Sequence, residues 1–380
     1  MRNVYVLGSG QSNFGRFKTT SAHALAEIAA RAAIQDAGVD PRDIQAGYVG
    51  RVFDGNGTDT NVLMRVGITQ VELADVENAC ASGSTAVHLL YKDIANGRYD
   101  LGIAIGCEQL SARKNGLLPP VEGNIYSAIG MSMPAITALI ARRLMHEYGA
   151  TAEDLAYASY KNHCNAELNP YAQYRKKFTI EEIVNSRMIS DPITLLGCCP
   201  QSDGAAAVIL CSEQVARKYT SHPIRMAASI LTSAGFEQPG DDMLHYGVVP
   251  RATQMAYEQA GIGPEDLNLV ELHDAFSSEE LYLYEMLGLC RKGDGIAFAR
   301  SGAAEIGGKV PVNPSGGLLA LGHPLGASGT RVISEIVQHL KGQAGARQVE
   351  GAKVGLAHMQ GGYTAGLTFP SICAVSILTL

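Results

Sequence analysis

Two features are missing from this 380-residue chain that would each have set its class. The eight cysteines (Cys80, Cys107, Cys164, Cys198, Cys199, Cys211, Cys290 and Cys373) include no Cys-x-x-Cys pair and keep no regular spacing. That speaks against structural zinc or a disulfide framework and for a reduced, intracellular protein. No apolar run approaches the ~20 residues of a membrane span. The opening stretch Met1 to Gly8 is interrupted too early for a signal peptide, so the chain reads as soluble and cytoplasmic. Charge is scarce as well, at 18% charged residues and a net −7. An acidic balance argues against a constitutive nucleic-acid or anionic-membrane binder, while leaving room for a local basic patch that meets a phosphate.

What is present is apolar and glycine-rich. With 46% hydrophobic residues a substantial core forms and disorder is not expected. The length predicts two or three domains, and 42 glycines without a collagen-like period predict many tight turns and close backbone approaches. Val4 to Leu7 reads as a buried strand. Gly8, Gly10 and Gly15 follow it in the wrong order for a dinucleotide loop, since no helix opens on the last glycine. Ser21 caps an alanine-rich helix, Ala22 to Ala37, that ends at Gly38, and a strand follows near Gly47 to Val52.

The stretch Asn78-Ala79-Cys80-Ala81-Ser82-Gly83-Ser84 sits between a strand, Gln70 to Val76, and an apolar-periodic helix, Ala86 to Ala95. A cysteine at a helix mouth meets unpaired N–H groups and the helix dipole, a setting that lowers a thiol pKa and makes a nucleophile. The competing reading is a buried, inert cysteine.

Much of this pattern recurs downstream. Ala37-Gly38-Val39-Asp40-Pro41-Arg42-Asp43-Ile44 is matched by Ala260-Gly261-Ile262-Gly263-Pro264-Glu265-Asp266-Leu267, each after a helix and before an apolar strand, here Leu269 to Leu272. The Asn78 motif, its helix and the strand Leu101 to Gly106 are matched by Asn313 to Gly317 with Gly322 and His323, a helix Ala327 to Leu340 and a strand Lys353 to Ala357. The pattern predicts a duplicated β/α unit. Residues 1–110 with 201–222 would form the first half and 223–380 the second. Residues 111–200, with Pro119, Pro120, Gly123, Met131, Met133 and helices Ala135 to Tyr148 and Glu153 to Asn165, read as an inserted loop or lid domain. Its basic run Arg175-Lys176-Lys177 is either a phosphate contact or a solvated face.

Three histidines stand at further β/α junctions. His323 lies in the glycine-rich turn Gly322-His323-Pro324-Leu325-Gly326-Ala327-Ser328-Gly329, where an imidazole near a thiol would take its proton. His273, in His273-Asp274-Ala275-Phe276, ends a strand and would hold a water or donate to an oxyanion. His358, in His358-Met359-Gln360-Gly361-Gly362-Tyr363, follows the last clear strand.

On Asn78 to Gly83, His273 to Phe276, Asn313 to Gly317 and Gly322-His323-Pro324, the chain resembles the thiolase superfamily. Cys198 to Ala206, Lys161 to His163 and Asn169 to Gln173 place it near the sterol-carrier-protein-type and archaeal-type thiolases. The resemblance runs end to end. It implies an α/β fold of duplicated βαβαβαββ halves in α-β-α-β-α layers with an inserted loop domain. It further implies acyl transfer through a Cys80 acyl-enzyme, with 3-ketoacyl-CoA thiolysis or Claisen condensation with acetyl-CoA as the two directions. His323 would deprotonate Cys80, and His273 would occupy the place of an Asn that positions an oxyanion-hole water. Many thiolases carry a second catalytic cysteine where this chain has His358 or Ala275, so His358 is the expected substitute for moving the second proton. Tyr363 would narrow the acyl pocket. Coenzyme A and acyl-CoA enter as substrates, with no permanently bound cofactor and no metal. The partners implied are a homodimer or homotetramer and, as in some archaeal-type members, a small OB-fold protein. Two alternatives stand beside this. One is a thiolase-fold retro-aldolase acting on β-hydroxyacyl-CoA, whose relatives lack the nucleophilic cysteine. The other is a non-catalytic acyl-CoA or lipid binder, for which no sterol-carrier domain is expected.

Overall fold

The computed structural model describes residues 2–53, 57–113, 128–235, 242–362 and 370–380. Pro119, Pro120, Gly123 and Tyr363 lie outside them. The main strands are β1 (Val4–Gln11), β2 (Ala46–Gly50), β3 (Glu72–Val76), β4 (Leu101–Gln109), β7 (Asp203–Ser212), β8 (Ile224–Ser233), β9 (Leu269–Glu271), β10 (Val354–Gly361) and β11 (Ile372–Thr379), while β5 (Met188–Ser190) and β6 (Ile193–Thr194) make a separate hairpin. The nine main strands form one sheet in the order β3-β2-β4-β7-β1-β8-β11-β10-β9.

That order is a mirror. Outward from the centre, one side runs β1, β7, β4, β2, β3 and the other β8, β11, β10, β9, with Val312 bridging onto Val270 where a fifth strand would lie. Directions match too: β4 is antiparallel to β7 and parallel to β2, as β10 is antiparallel to β11 and parallel to β9. The halves meet where β1 pairs antiparallel with β8 at Tyr5–Arg225 and Val6–Ile224. The repeated sequence pattern becomes a repeated structure. Helices Ala22–Ala37 and Val248–Ala260 both end on a left-handed glycine, Gly38 and Gly261, and each is followed by a single 3-10 turn, Pro41–Asp43 and Pro264–Asp266. Ile44 and Leu267 then turn inward and are buried.

The layering follows from which helices are buried on all sides. Ala22–Ala37 packs outside β1, β4 and β7, and Val248–Ala260 outside β8 and β11. Between the two half-sheets lie helices Ser82–Ala95 and Leu325–Leu340, packed on each other. Every residue of Leu325–Leu340 except Gln338 is buried, including Arg331 and Glu335. A helix buried all round belongs in the middle of a layered core, so the architecture is α-β-α-β-α. Gly8 and Gly10 lie inside β1. A Cβ on Gly8 would stand 2.5 Å from the Ala33 carbonyl oxygen, so these glycines let the alanine helix settle on the strand.

One expectation is corrected and one strand is added. His358 does not follow a strand but lies within β10, paired with Val375 of β11, and β11 itself was not anticipated. Because β10 is buried on both faces, no alternation marks its continuation past Ala357. Between β4 and β7 the chain leaves the sheet for helices Met133–Tyr148, Ala152–Glu167 and Ile180–Val184 and the β5–β6 hairpin.

Candidate active site

Cys80 stands in the turn between β3 and helix Ser82–Ala95 and is 5% exposed. The turn is held from several sides. Ala79 adopts a left-handed φ of 48°. The Ser82 hydroxyl donates to Ala79 O at 2.6 Å and accepts from the Asn78 amide at 2.9 Å, while the Asn78 side chain donates to Thr85 Oγ1 at 2.9 Å. A non-glycine residue at positive φ is a strained conformation that surrounding contacts must hold in place. Asn78 is therefore in the motif for its hydrogen bonds, and Ala79 carries the bend that presents the thiol.

His323 reaches the same place from the other half. Asn313 (φ 52°), Gly316 (φ 102°) and Gly322 (φ 117°) turn the chain through one wide helical turn, Gly317–Leu321, ahead of helix Leu325–Leu340. A buried polar network sets this path. The Asp274 carboxylate accepts from Leu318 N at 2.6 Å and from Asn162 Nδ2 at 2.7 Å. Asn162 and Asn313 both donate to Glu280, which also pairs with Lys161 at 3.0 Å. Burial, and then Glu280, push the Asp274 carboxyl well above the carboxylate range. The Lys161-Asn162 motif and Asp274 are thus one structural assembly under the site.

One donor atom from each of Cys80, His273 and His323 lies within 4.8 Å of the others, and all three residues are buried. The two imidazoles meet edge to face, with centroids 5.3 Å apart. Ser328 Oγ donates to Pro324 O at 2.9 Å and lies 2.8 Å from His323 Nδ1. A hydroxyl already donating must accept here, so His323 carries its proton on Nδ1 and leaves an Nε2 lone pair with no partner among the described residues. His273 Nδ1 lies 3.1 Å from Glu279 Oε2, and its Nε2 is also unpartnered. The charged and nearer carboxylate claims that proton over the Gln360 amide at 3.4 Å. Glu279 is itself fixed by the Ala275 amide at 2.9 Å. His358 is not among the three clustered donors. Its Nδ1 accepts a long 3.5 Å hydrogen bond from the His273 amide, which places its proton on Nε2.

The expected lowering of the Cys80 pKa is overturned. Burial first, and the nearby Glu279 carboxylate second, push the thiol up to about 12. Desolvation outweighs the helix mouth because the thiolate would lose its water to an apolar surround. Burial also holds His323 well below its usual value, helped by His273 and Arg331, and takes His358 down to about 3. At rest the site holds a neutral thiol beside the neutral imidazoles of His323 and His358.

Glu279, Ser328 and Gln360 were missed at the level of sequence. Ser328 was visible in the glycine-rich run, and Glu279 as an acid in the first turn of helix Ser277–Met286. Cys199 was missed as a neighbour. Its amide donates to Ala275 O at 2.8 Å, and its thiol is raised by burial and then by Cys198 and Cys80. Of the basic run, Lys177 pairs with Glu167 at 2.6 Å and Lys176 lies 4.7 Å over the Phe178 ring, all on the surface. Just before it, the amides of Gln173 and Tyr174 bond to Leu321 O and Ala320 O at 3.0 Å, on the turn that leads to His323.

Residues 4–214 match the family model described as "Thiolase, N-terminal domain", and residues 237–368 match "Thiolase C-terminal domain-like". The chain is 40% identical to benzoylsuccinyl-CoA thiolase subunit BbsB of Thauera aromatica, covering 95% of each sequence. It is 39% identical to acetyl-CoA acetyltransferase of Methanothermobacter thermautotrophicus, covering 95% of this chain and 97% of that one. Human sterol carrier protein 2 is 34% identical over 95% of this chain and 70% of its own length. Among solved structures, an Ltp2-ChsH2(DUF35) aldolase superposes with a TM-score of 0.85 at 26% identity, covering 98% and 97% of the two chains. The Acat5 thiolase of Ascaris suum in complex with coenzyme A shares the fold, with a TM-score of 0.75 at 20% identity over the whole of both chains. With both halves matched and near-full-length relatives close to 40% identical, the chain belongs to the thiolase family.

Proposed function

We propose that the chain is an enzyme, an acyl-CoA acyltransferase of the thiolase type, working through an acyl-enzyme on Cys80. The observation that carries this reading is the meeting of Cys80 with a ring nitrogen of His323, an imidazole whose Nε2 has no partner among the described residues, inside one buried cluster. Because the thiol is neutral at rest, its proton moves to His323 as Sγ attacks the thioester carbonyl, and the departing CoA thiolate takes that proton away. The carbonyl oxygen gathers negative charge in this step and needs a donor. His358 supplies one, since its Nδ1 is engaged by the His273 amide and its Nε2–H is unpartnered.

The second proton is the one on the α-carbon of acetyl-CoA. The hydrogen-bond partners favour His273 for it. Held by Glu279 on Nδ1, it offers a lone pair on Nε2. The roles first expected of His273 and His358 are exchanged in this reading. The substrates are an acyl-CoA and a second CoA species, in 3-ketoacyl-CoA thiolysis or its reverse. The exposed basic run after Gln173 adjoins the turn to His323 and would meet the CoA phosphates. The open edge strand β3, only half covered, supports a homodimer or homotetramer. The Ltp2-ChsH2(DUF35) aldolase of the same fold supports a small partner subunit. Among the described residues no helix is long and apolar enough to cross a membrane, and we place the enzyme in the cytoplasm.

Mass spectrometry of Cys80 after mixing with a panel of acyl-CoAs tests the reading. A mass gain on Cys80 that matches the acyl chain, and is lost in Cys80→Ala, is expected. The aldolase neighbour motivates a second reading, retro-aldol cleavage of a β-hydroxyacyl-CoA. Cleavage that survives Cys80→Ser would favour it over acyl transfer.

A further inference from the structure

No spacing in the chain announces a metal site, because the three donors come from positions 80, 273 and 323, in different halves of the molecule. Folding brings them together as one thiol and two imidazoles within 4.8 Å of one another. A tetrahedral Zn2+ with Zn–S near 2.3 Å and Zn–N near 2.0–2.1 Å holds its donors roughly 3.3–3.6 Å apart. The widest pair therefore has to close by no more than about 1.5 Å. Both imidazoles offer a buried Nε2 with no partner among the described residues. Both also have the outer partner that zinc-binding histidines require: His273 donates from Nδ1 to the Glu279 carboxylate at 3.1 Å, and His323 from Nδ1 to Ser328 Oγ at 2.8 Å. One thiolate and the Glu279 carboxylate together balance the two positive charges of the ion, which answers the cost of burying it. Arg331, whose charge acts on His323, is already paired with Glu271.

We propose that Cys80, His273 and His323 form a reversible Zn2+ site that inhibits the enzyme by occupying its nucleophile. As the S–Zn bond forms, the Cys80 thiol releases its proton to solvent, and no electron is transferred. The fourth coordination position is left to water, as in sites with three protein ligands. A thiol and two imidazoles select Zn2+ over Mg2+ or Ca2+, which prefer oxygen donors. Zinc binding stands on the donor geometry alone, whereas its inhibitory effect rests on the acyl-transfer reading. Metal-free protein can acylate Cys80 whether or not zinc binds, so the two fail separately.

The test uses the full chain freed of metal with a chelator and titrated with Zn2+ alone or Co2+ alone. One equivalent of Zn2+ should abolish turnover reversibly, with recovery on adding chelator, and should protect Cys80 from iodoacetamide as read by mass spectrometry. Co2+ should give a sulfur-to-cobalt charge-transfer band with intense tetrahedral visible bands, and Cys80→Ser should remove the charge-transfer band. Glu279→Gln, which alters only an outer partner, should weaken Zn2+ binding about 10–100-fold. A charge-transfer band that is absent at one equivalent, or that survives Cys80→Ser, overturns the proposal. So does unprotected Cys80 in the unmutated protein at saturating Zn2+, a result that no folding defect can imitate.

Discussion

A Cβ on Gly83 would lie 2.6 Å from the Gly326 carbonyl oxygen, so the two central helices touch backbone to backbone where Cys80 and His323 emerge. Gly329 repeats the contact against the Ser84 amide at 2.3 Å. The spacing of Cys80 and His323 is therefore set by the absence of side chains, three residues along from each.

Gly83→Ala is expected to force these helices apart. Overpacking of this kind costs about 1–3 kcal/mol, readable as a lower urea midpoint. The larger effect should be on turnover, because a misplacement near 1 Å is worth about 10²-fold in rate. A variant with the melting loss but unchanged kcat would show that this contact does not position the site.

Reactivity of Cys80 should follow a buried thiol and not a preformed ion pair. Its thiolate fraction is small at neutral pH and rises tenfold per pH unit toward about 12. Iodoacetamide labelling of Cys80, read by mass spectrometry from about pH 6 to about pH 9, should climb steadily across the range where ordinary histidines and cysteines titrate. His323, held neutral by burial, should add no acid limb in this range. A rate already at its plateau at the acid end would instead mark a thiolate–imidazolium pair.

The exchange of roles between His273 and His358 can be read from deuterium. With acetyl-CoA in heavy water, His273→Asn should slow wash-in at the methyl group by about 10²–10⁴-fold, the usual worth of a general base. His358→Ala should slow acylation of Cys80 by about 10²–10³-fold, the usual worth of an oxyanion donor, and leave exchange from the acyl-enzyme much less affected. The reverse pattern would return the second proton to His358.

What could be read ahead of the structure divides along physical lines. The duplicated halves were legible because Gly38 and Gly261 end helices in the one conformation glycine favours, and because Ile44 and Leu267 repeat an inward turn. Cys80, His273 and His323 were legible as residues at β/α junctions. Their meeting was not, since it depends on helices from different halves touching through Gly83 and Gly326. The state of the thiol was misjudged because the helix mouth is a local feature, whereas the burial that outweighs it comes from the whole fold. His358 was misplaced because β10 is covered on both faces, so its burial pattern carries no alternation to read. Glu279 was missed because a first-turn acid is ordinary in helices, and only the position of His273 makes it a partner.

Beneath the site, Arg331 and Glu271 are both fully buried and paired, with Ser315 Oγ bonding each at 2.7–2.8 Å. The pair ties helix Leu325–Leu340 to β9 and to the Asn313–Gly317 turn, the two elements that lead to His323 and His273. Removing one member strands a charge where water cannot reach it. Glu271→Ala is therefore expected to destabilise the fold by about 3–5 kcal/mol, whereas replacing both with apolar residues of similar volume should cost far less. Urea unfolding of Glu271→Ala, Arg331→Met and the double Glu271→Leu/Arg331→Met variant measures the coupling directly. A double variant as unstable as the sum of the singles would mean the two side chains act independently, and that the turn before His323 is held by the Asp274 and Glu280 network alone.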